Sequence, residues 1–96
     1  SQELPIAVPC RLSITFHMRR PKCHFRANGS LRPDAPAWHT QKPDVLKLTR
    51  AIEDALTGIC WGDDAQIVEH ASVRKVWSPT QVYSETLVQI EYITEA

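Results

Sequence analysis

Hydrophobic and polar residues alternate along the early part of the chain. From Leu12 to Met18 every second residue is large and apolar, and the residues between them are Ser, Thr and His. A period of two places successive side chains on opposite faces, which predicts a strand with one buried face and one exposed face. We expect this strand within Ile6–Met18, with Pro9 confining any earlier extended segment to a sheet edge or a bulge.

The hydrophobic period becomes that of a helix between Asp44 and Thr57. At 100° per residue the apolar residues fall on one stripe roughly 100° wide, with charged residues opposite. Asp44 can cap the helix behind a proline that disfavours helix before it, and Gly58 can take the left-handed conformation that follows a last turn. The apolar stripe comprises Val45, Leu48, Ile52, Ala55 and Leu56, and the opposite face carries Lys47, Arg50, Glu53, Asp54 and Thr57.

Two further strands are predicted after the helix, at Ala65–Trp77 and Val82–Ile93, with a turn at Ser78–Thr80 between them. If the strand period extends back to Asp63 and Asp64, these two neighbours face opposite sides of the sheet, so only one of them should face the helix. The expected fold class is α+β, with a small mixed or antiparallel sheet and one principal helix packed across it.

Composition limits the possible classes of protein. A chain of 96 residues with 43% hydrophobic content predicts one globular domain over residues 1–96, whose modest core would benefit from dimerisation. Eleven Lys and Arg balance eleven Asp and Glu, so affinity for nucleic acid must come from a local patch. Three irregularly spaced cysteines are typical of a reducing compartment, and no apolar run is long enough to span a membrane. We therefore expect a cytoplasmic protein with no membrane association.

The segment from Arg19 to Gln41 follows neither period and is predicted to be a long loop. It contains only one acid, Asp34, and its basic residues are interspersed with Phe25 and Trp38. Two interpretations remain open: a surface that holds a DNA backbone and stacks on exposed bases, or a solvated loop whose charges bind nothing specific. Including neighbouring lysines, the candidate contacts with nucleic acid are Arg19, Arg20, Lys22, Arg26, Lys42, Lys47 and Lys75.

Three carboxylates lie at the boundaries of the helix and the strand that follows it. Asp44 begins the helix, and Asp63 and Asp64 precede the strand. If the helix packs on that strand, Asp44 and Asp64 can converge, and converging carboxylates suit Mg²⁺ or Mn²⁺. The alternative is that Asp44 only caps a helix and that Gly62–Asp64 is an ordinary turn.

The sequence from His39 to Lys75, with KPD, a helix, DALTG and then W-x-DDAQI, resembles the RusA family of Holliday junction resolvases, which are common in phages and prophages. The resemblance implies a dimeric, Mg²⁺-dependent endonuclease that cuts four-way DNA junctions in recombination or repair, in a bacterial or phage-infected cell. It implies Asp44, Asp63 and Asp64 as catalytic and metal-binding acids, with Arg50 as the catalytic basic residue. It also implies an upstream strand that precedes the first residue of this chain.

One residue departs from the family pattern. The second acid of the family's Asp-x-Asp motif is Leu46 here, which predicts an apolar residue on the polar face of the helix. Glu53 lies two turns later at nearly the same angle, about 10 Å further along the axis. Two alternatives to an active nuclease therefore remain: a protein that binds branched DNA with weakened or no catalysis, and an interaction module that keeps only the scaffold.

Overall fold

The computed structural model describes residues 7–79 and 83–93. Strand β1 is followed by a long connection, helix α1 and strands β2 and β3, and the connections include two single turns of 3₁₀ helix. Within the described ranges no helix is long and apolar enough to cross a membrane. The elements are β1 (Cys10–Met18), α1 (Val45–Leu56), β2 (Ile67–Trp77) and β3 (Glu85–Tyr92), and the 3₁₀ turns are Lys22–His24 and Asp64–Gln66.

The three strands form one sheet in the order β2-β1-β3. The central strand β1 runs parallel to β2, from Cys10 beside Ile67 to Met18 beside Trp77, and antiparallel to β3. A parallel pair needs a crossover, and the segment containing α1 supplies it. The predicted α+β fold, with a small mixed sheet and one principal helix, is confirmed.

The predicted face of β1 is the core of the molecule. Leu12, Ile14 and Phe16 are each at most 2% exposed, and Met18 is partly buried against them. The opposite face of β1 is polar, and there Arg11 bonds Glu69 of β2 at 2.7 Å and Glu91 of β3 at 2.9 Å. One face of the sheet is therefore hydrophobic. On the other face, ion pairs of Arg11 connect all three strands.

Helix α1 packs on the hydrophobic face through Leu48, Ile52 and Leu56, which lie against the core. The predicted stripe is wrong at Ala55, which is exposed, whereas Thr49 is buried and donates its hydroxyl to the Val45 carbonyl at 2.7 Å. The period locates the stripe but not its edges, because neighbouring elements decide how far the helix is covered. The helix ends before Thr57, and Gly58 follows with φ of 88°.

The beginning of β2 differs from the prediction. The strand begins at Ile67 and not at Ala65, because Asp64–Gln66 forms a 3₁₀ turn capped by Asp63. Strand alternation therefore does not determine where Asp63 and Asp64 point, because neither residue belongs to the strand. Strand β3 covers Glu85–Tyr92 within the predicted range. Val82, part of that prediction, and Thr80, in the predicted turn, lie outside the described residues.

Candidate functional site

Asp44 caps the N-terminus of α1. Its Oδ1 accepts the Lys47 main-chain N–H at 2.8 Å, which satisfies one of the amides that a helix start leaves without a partner. The preceding chain is held by Lys75 of β2, whose Nζ donates to the carbonyl oxygens of Gln41 at 2.6 Å and Pro43 at 2.9 Å. Asp44 is exposed, so its position is fixed while its carboxylate still faces solvent.

Asp63 and Asp64 belong to the turn that precedes β2. Asp63 Oδ1 accepts the Ala65 N–H at 2.8 Å, and Gln66 Oε1 accepts the N–H groups of Gly62 and Asp63. Gln66 Nε2 also donates to the Val8 carbonyl at 2.9 Å, which ties the turn to the start of β1. Asp64 is exposed, and among the described residues its carboxylate has no hydrogen-bond or ionic partner. Asp63 therefore shapes the turn and leaves Asp64 open to an external cation.

The acids at the two locations do not meet within one chain, because α1 and β2 run in opposite directions. Lys75, near the end of β2, contacts the residue before Asp44, while Glu53, late in α1, contacts His70 near the start of β2 at 2.6 Å. The helix carries the chain about 20 Å from Asp44 to Thr57 at 1.5 Å per residue. In residues 7–79 and 83–93 no three His, Cys, Asp or Glu side chains form a metal-binding group.

A groove of about 270 Å³ lies between α1 and β2. Leu46 projects at its edge and is 81% exposed, as its helical angle predicts. Glu53, with only 14% of its side chain exposed, pairs with His70, and this contact is ionic when His70 is protonated. Arg50 lies on the exposed side, with Nε 3.5 Å from Asp54. The groove is lined by Leu46, Thr49, Arg50, Glu53 and His70.

The segment from Arg19 to Gln41, here called the basic loop, packs around Trp77, the last residue of β2. Arg20 lies over the indole at 4.8 Å from its centroid, and the rings of His24 and His39 approach it at 5.0 and 4.6 Å. Arg20 also donates to the Pro36 carbonyl at 2.8 Å, so its guanidinium anchors the loop. Trp77 thus serves as the packing centre for a segment with no core of its own.

Beside this cluster is a pocket of about 500 Å³, here called the basic pocket. Burial, assisted by the positive charge of Lys75, lowers the pKa of His39, so its imidazole is neutral at pH 7. The positive charge of the pocket therefore comes from the two arginines and the lysine. The basic pocket is lined by Arg19, Arg20, Pro21, Lys22, His39, Gln41 and Trp77.

The other candidate contacts with nucleic acid occupy different surroundings. Lys42 and Lys47 are exposed, two residues before and three residues after Asp44 in the chain. Arg26 is exposed in a turn that its main-chain N–H closes on the Ser30 carbonyl at 2.7 Å. Lys75 directs its ammonium to protein carbonyls and so holds the start of α1.

Lys75→Met is expected to lower the free energy of unfolding by about 1–3 kcal/mol. The substitution keeps the aliphatic stem but removes charge-assisted bonds to two carbonyl oxygens. Urea denaturation measures the effect, and Arg74→Met is the matched control because Arg74 is the exposed basic neighbour on the same strand. Equal losses in the two variants would show that the Lys75 contacts do not stabilise the loop.

Two contacts of this region are not apparent from the sequence. The sequence does not indicate a role for His70, because a lone histidine in a strand is commonly a surface residue. Glu53 lies beside it only because α1 packs antiparallel to β2. Trp77 packs under the basic loop, with Arg20 over its indole and the His24 ring against its edge. The sequence hints at the contact between Arg20 and Trp77 only through position. Arg20 lies two residues after the end of β1, and Trp77 ends β2, the strand that runs parallel to β1.

Comparison with protein families gives one clear result. The model of the family described as Endodeoxyribonuclease RusA matches residues 1–91, which is nearly the whole chain. Comparison with characterised individual proteins and with solved structures gives no match. The matched range includes β1, the basic loop, α1 and β2, and therefore all of the acids and basic residues described above. This chain belongs to the RusA endodeoxyribonuclease family.

Proposed function

We propose that this protein is an endonuclease that cuts branched DNA, above all Holliday junctions, as a homodimer that depends on Mg²⁺ or, in its place, Mn²⁺. Membership of an endodeoxyribonuclease family supports the reaction class. The proposal depends mainly on one observation: the basic pocket lies next to Asp44. Gln41 lines that pocket, and Lys75 bonds both Gln41 and Pro43, the residue before Asp44.

The chain's own residues have distinct tasks in this proposal. Arg19 and Lys22 attract the DNA backbone, because accumulated positive charge at one place offsets the repulsion between phosphates and carboxylates. Arg20 and Trp77 keep the loop in position for that contact. Arg50, with a side chain 73% exposed, stabilises the negative charge that develops on the phosphoryl oxygens during cleavage.

A divalent cation would polarise the phosphodiester and activate the attacking water. The residues of a single chain do not fit such an ion. Asp44, at the start of α1, lies near the end of β2, whereas Asp64 lies just before the start of β2. The described residues also contain no cluster of three potential ligands. Exposed carboxylates are nevertheless suitable ligands for Mg²⁺, which prefers oxygen and retains several waters.

The direct test is cleavage of a synthetic four-way junction, with a linear duplex of the same sequence as the control. We expect nicks in the junction with Mg²⁺ or Mn²⁺, none with a chelator, and little cutting of the duplex. Equal cutting of both substrates would reject branched DNA as the substrate. Binding of the junction without cutting under all metal conditions would reject the nuclease.

That last outcome describes the second candidate, a protein that binds branched DNA without cutting it. Leu46 favours it, because an apolar side chain occupies the position of the family's second acid and is 81% exposed. Glu53, the nearest replacement on the same helix face, is paired with His70. Such a protein would bind the junction without cutting it, and would cut the junction once an acid replaces Leu46.

Leu46→Asp is expected to raise the rate of Mg²⁺-dependent cleavage and leave stability within about 0.5 kcal/mol of wild type, because a residue so exposed contributes little to the core. Wild-type cleavage should be weak and favoured by Mn²⁺, which binds more tightly than Mg²⁺. Initial nicking rates and urea denaturation check the two expectations. Leu46→Asn is the matched control, since it adds polarity without charge.

If Leu46→Asp folds normally but cuts no faster, either another acid already serves the site or the scaffold does not support catalysis. Glu53→Gln in the wild-type background separates these cases. Only if Glu53 supplies the missing charge should this variant lose the residual cleavage.

Arg19→Gln combined with Lys22→Gln is expected to weaken junction binding and to reduce its salt dependence. If each residue contacts one phosphate, the slope of log affinity against log salt should fall by up to about two units. Arg20 is left intact because it anchors the loop. Arg32→Gln is the control, an exposed arginine in the same segment but outside the basic pocket. An unchanged slope in the double variant would place the DNA elsewhere.

A further inference from the structure

Glu53 and His70 form a carboxylate–imidazole pair in the groove between α1 and β2. Glu53 Oε2 lies 2.6 Å from His70 Nε2, a short distance for a hydrogen bond between nitrogen and oxygen. The two side chains are unequally covered, because 14% of Glu53 is exposed and 47% of His70 is exposed. The pair therefore consists of a largely buried acid that holds a solvent-accessible imidazole.

The contact determines which ring nitrogen of His70 can accept a proton. An ionised carboxylate only accepts hydrogen bonds, so Nε2 must carry the hydrogen that Glu53 receives. In a neutral imidazole the other nitrogen then has a free lone pair. Within residues 7–79 and 83–93, Nδ1 of His70 has no hydrogen-bond partner. An exposed imidazole that is oriented by a carboxylate and keeps one nitrogen free is the arrangement that a general base requires.

The residues around the pair suit a reaction on a phosphodiester. Arg50, which would stabilise the negative phosphoryl oxygens, lines the same groove of about 270 Å³ as His70. Leu46, at the position of the family's second acid, lines it as well. An acid there could accept a proton, whereas an aliphatic side chain cannot. Because Glu53 is already bonded to His70, the imidazole is left as the proton acceptor of this groove.

The charged groups that face His70 come from α1. The charged residues that line the groove with it are Glu53 and Arg50. From β1 the residue paired with His70 is Leu12, which is apolar and buried. Glu69, its neighbour on β2, forms an ion pair on the opposite face of the sheet. Within the described ranges, Glu53 is therefore the acid that orients the ring.

We infer that His70 is the general base of the cleavage reaction, oriented by Glu53, and that it takes the proton of the attacking water. This inference rests on the proposed nuclease function and adds a proton acceptor to its site. The water oxygen forms a bond to phosphorus while its proton moves to Nδ1 of His70. The bond from phosphorus to the leaving sugar oxygen breaks with its electron pair, and that oxygen takes a proton from solvent. His70 then releases its proton to solvent, which restores the neutral ring.

The pH dependence of nicking distinguishes a base from a structural residue. Initial rates on a four-way junction with Mn²⁺ are measured for wild type and for His70→Gln, whose amide can still donate to Glu53. At the alkaline end of the series the variant should be about 100-fold slower, the scale of general-base catalysis. The ratio of wild-type to variant rates should rise between about pH 5 and pH 8, because only neutral histidine accepts a proton. A structural role would give the same ratio at every pH.

The matched control is His17→Gln, which removes a histidine from β1. His17 alternates with the buried Phe16 and so lies on the sheet face away from α1. This variant should cut with the wild-type rate and pH profile. Junction binding by His70→Gln, measured by gel shift, and its urea denaturation should both match wild type, because the His70 side chain is 47% exposed.

Chemical rescue gives a second readout. His70→Ala opens space in the groove that free imidazole can occupy, so added imidazole should raise its nicking rate in proportion to the concentration of the unprotonated base. The same imidazole should not accelerate wild type or His70→Gln. Where His70→Ala does not fold, the pH dependence of the rate ratio for His70→Gln decides alone.

The failures of the two proposals are distinct. A rate ratio that does not change with pH, a wild-type rate in His70→Gln, or a folded His70→Ala that does not respond to imidazole overturns His70 as the base. Each of these results, alongside an active wild type, leaves the nuclease function intact. A wild type that is inactive with both metals refutes the nuclease function, and the inference about His70 with it.

Discussion

Asp64→Asn is expected to reduce junction cleavage at least 100-fold while junction binding and stability stay close to wild type. The amide preserves the volume of the side chain but removes the charge that a hard cation requires. Its structural cost should be small, because Asp64 is exposed and has no hydrogen-bond or ionic partner in the part of the chain that the structure describes. Nicking rates, gel-shift affinity and thermal unfolding measure the three quantities.

The matched control for Asp64→Asn is Glu85→Gln, which removes an exposed acid at the beginning of β3. It should cut and bind as wild type does. Comparison with Asp63→Asn is also informative, since Asp63 accepts the Ala65 N–H and caps the turn. An amide can still accept that bond, so this variant should fold. If Asp64→Asn cuts at the wild-type rate with Mg²⁺, Asp64 is not a metal ligand.

Trp61→Ala is expected to lower the free energy of unfolding by about 3–5 kcal/mol, the range for large aromatic residues truncated in a core. Trp61 has no exposed surface and packs with Leu12, Ile14 and Phe16. Its indole N–H also donates to Thr57 Oγ1 at 3.0 Å, which joins the end of α1 to the chain that returns to the sheet. Since small domains are stable by about 5–15 kcal/mol, the variant should lose much of its margin.

Urea denaturation followed by circular dichroism measures this loss. Trp38→Ala is the matched control, because Trp38 is 65% exposed and its removal should change stability by no more than about 0.5 kcal/mol. A loss below 1 kcal/mol for Trp61→Ala would mean that Trp61 is not part of the core. The comparison also separates burial from the general effect of removing an indole.

Local patterns were sufficient for the elements of the fold. The alternation from Leu12 to Met18 determines which face of β1 is buried, because successive side chains of a strand must point to opposite sides. The period and capping signals locate α1 to within one residue at each end, since Asp44 and Gly58 have conformational preferences of their own. The exposure of Leu46 also follows from its helical angle alone.

Where local patterns compete, the sequence was less informative. In the apolar run from Ile59 to Trp61, Ile59 is 69% exposed and Trp61 is fully buried. Nothing in the run distinguishes them, because the turn after α1 decides which side chain points inward. The same holds for Asp63 and Asp64: the cap on Ala65 and the side chain of Gln66 replace the strand that the pattern predicts.

The sequence by itself determined the elements, the identity of the acids and the departure at Leu46, because these depend on neighbours in the chain and on side-chain chemistry. Only the tertiary structure decided which of these residues meet. A helix that crosses between parallel strands must run back against them, so Asp44 lies at the end of β2 and Asp64 at its beginning. The same packing brings Trp77 under Arg20 and Glu53 beside His70, contacts between residues distant in sequence whose formation depends on how the helix and strands are oriented.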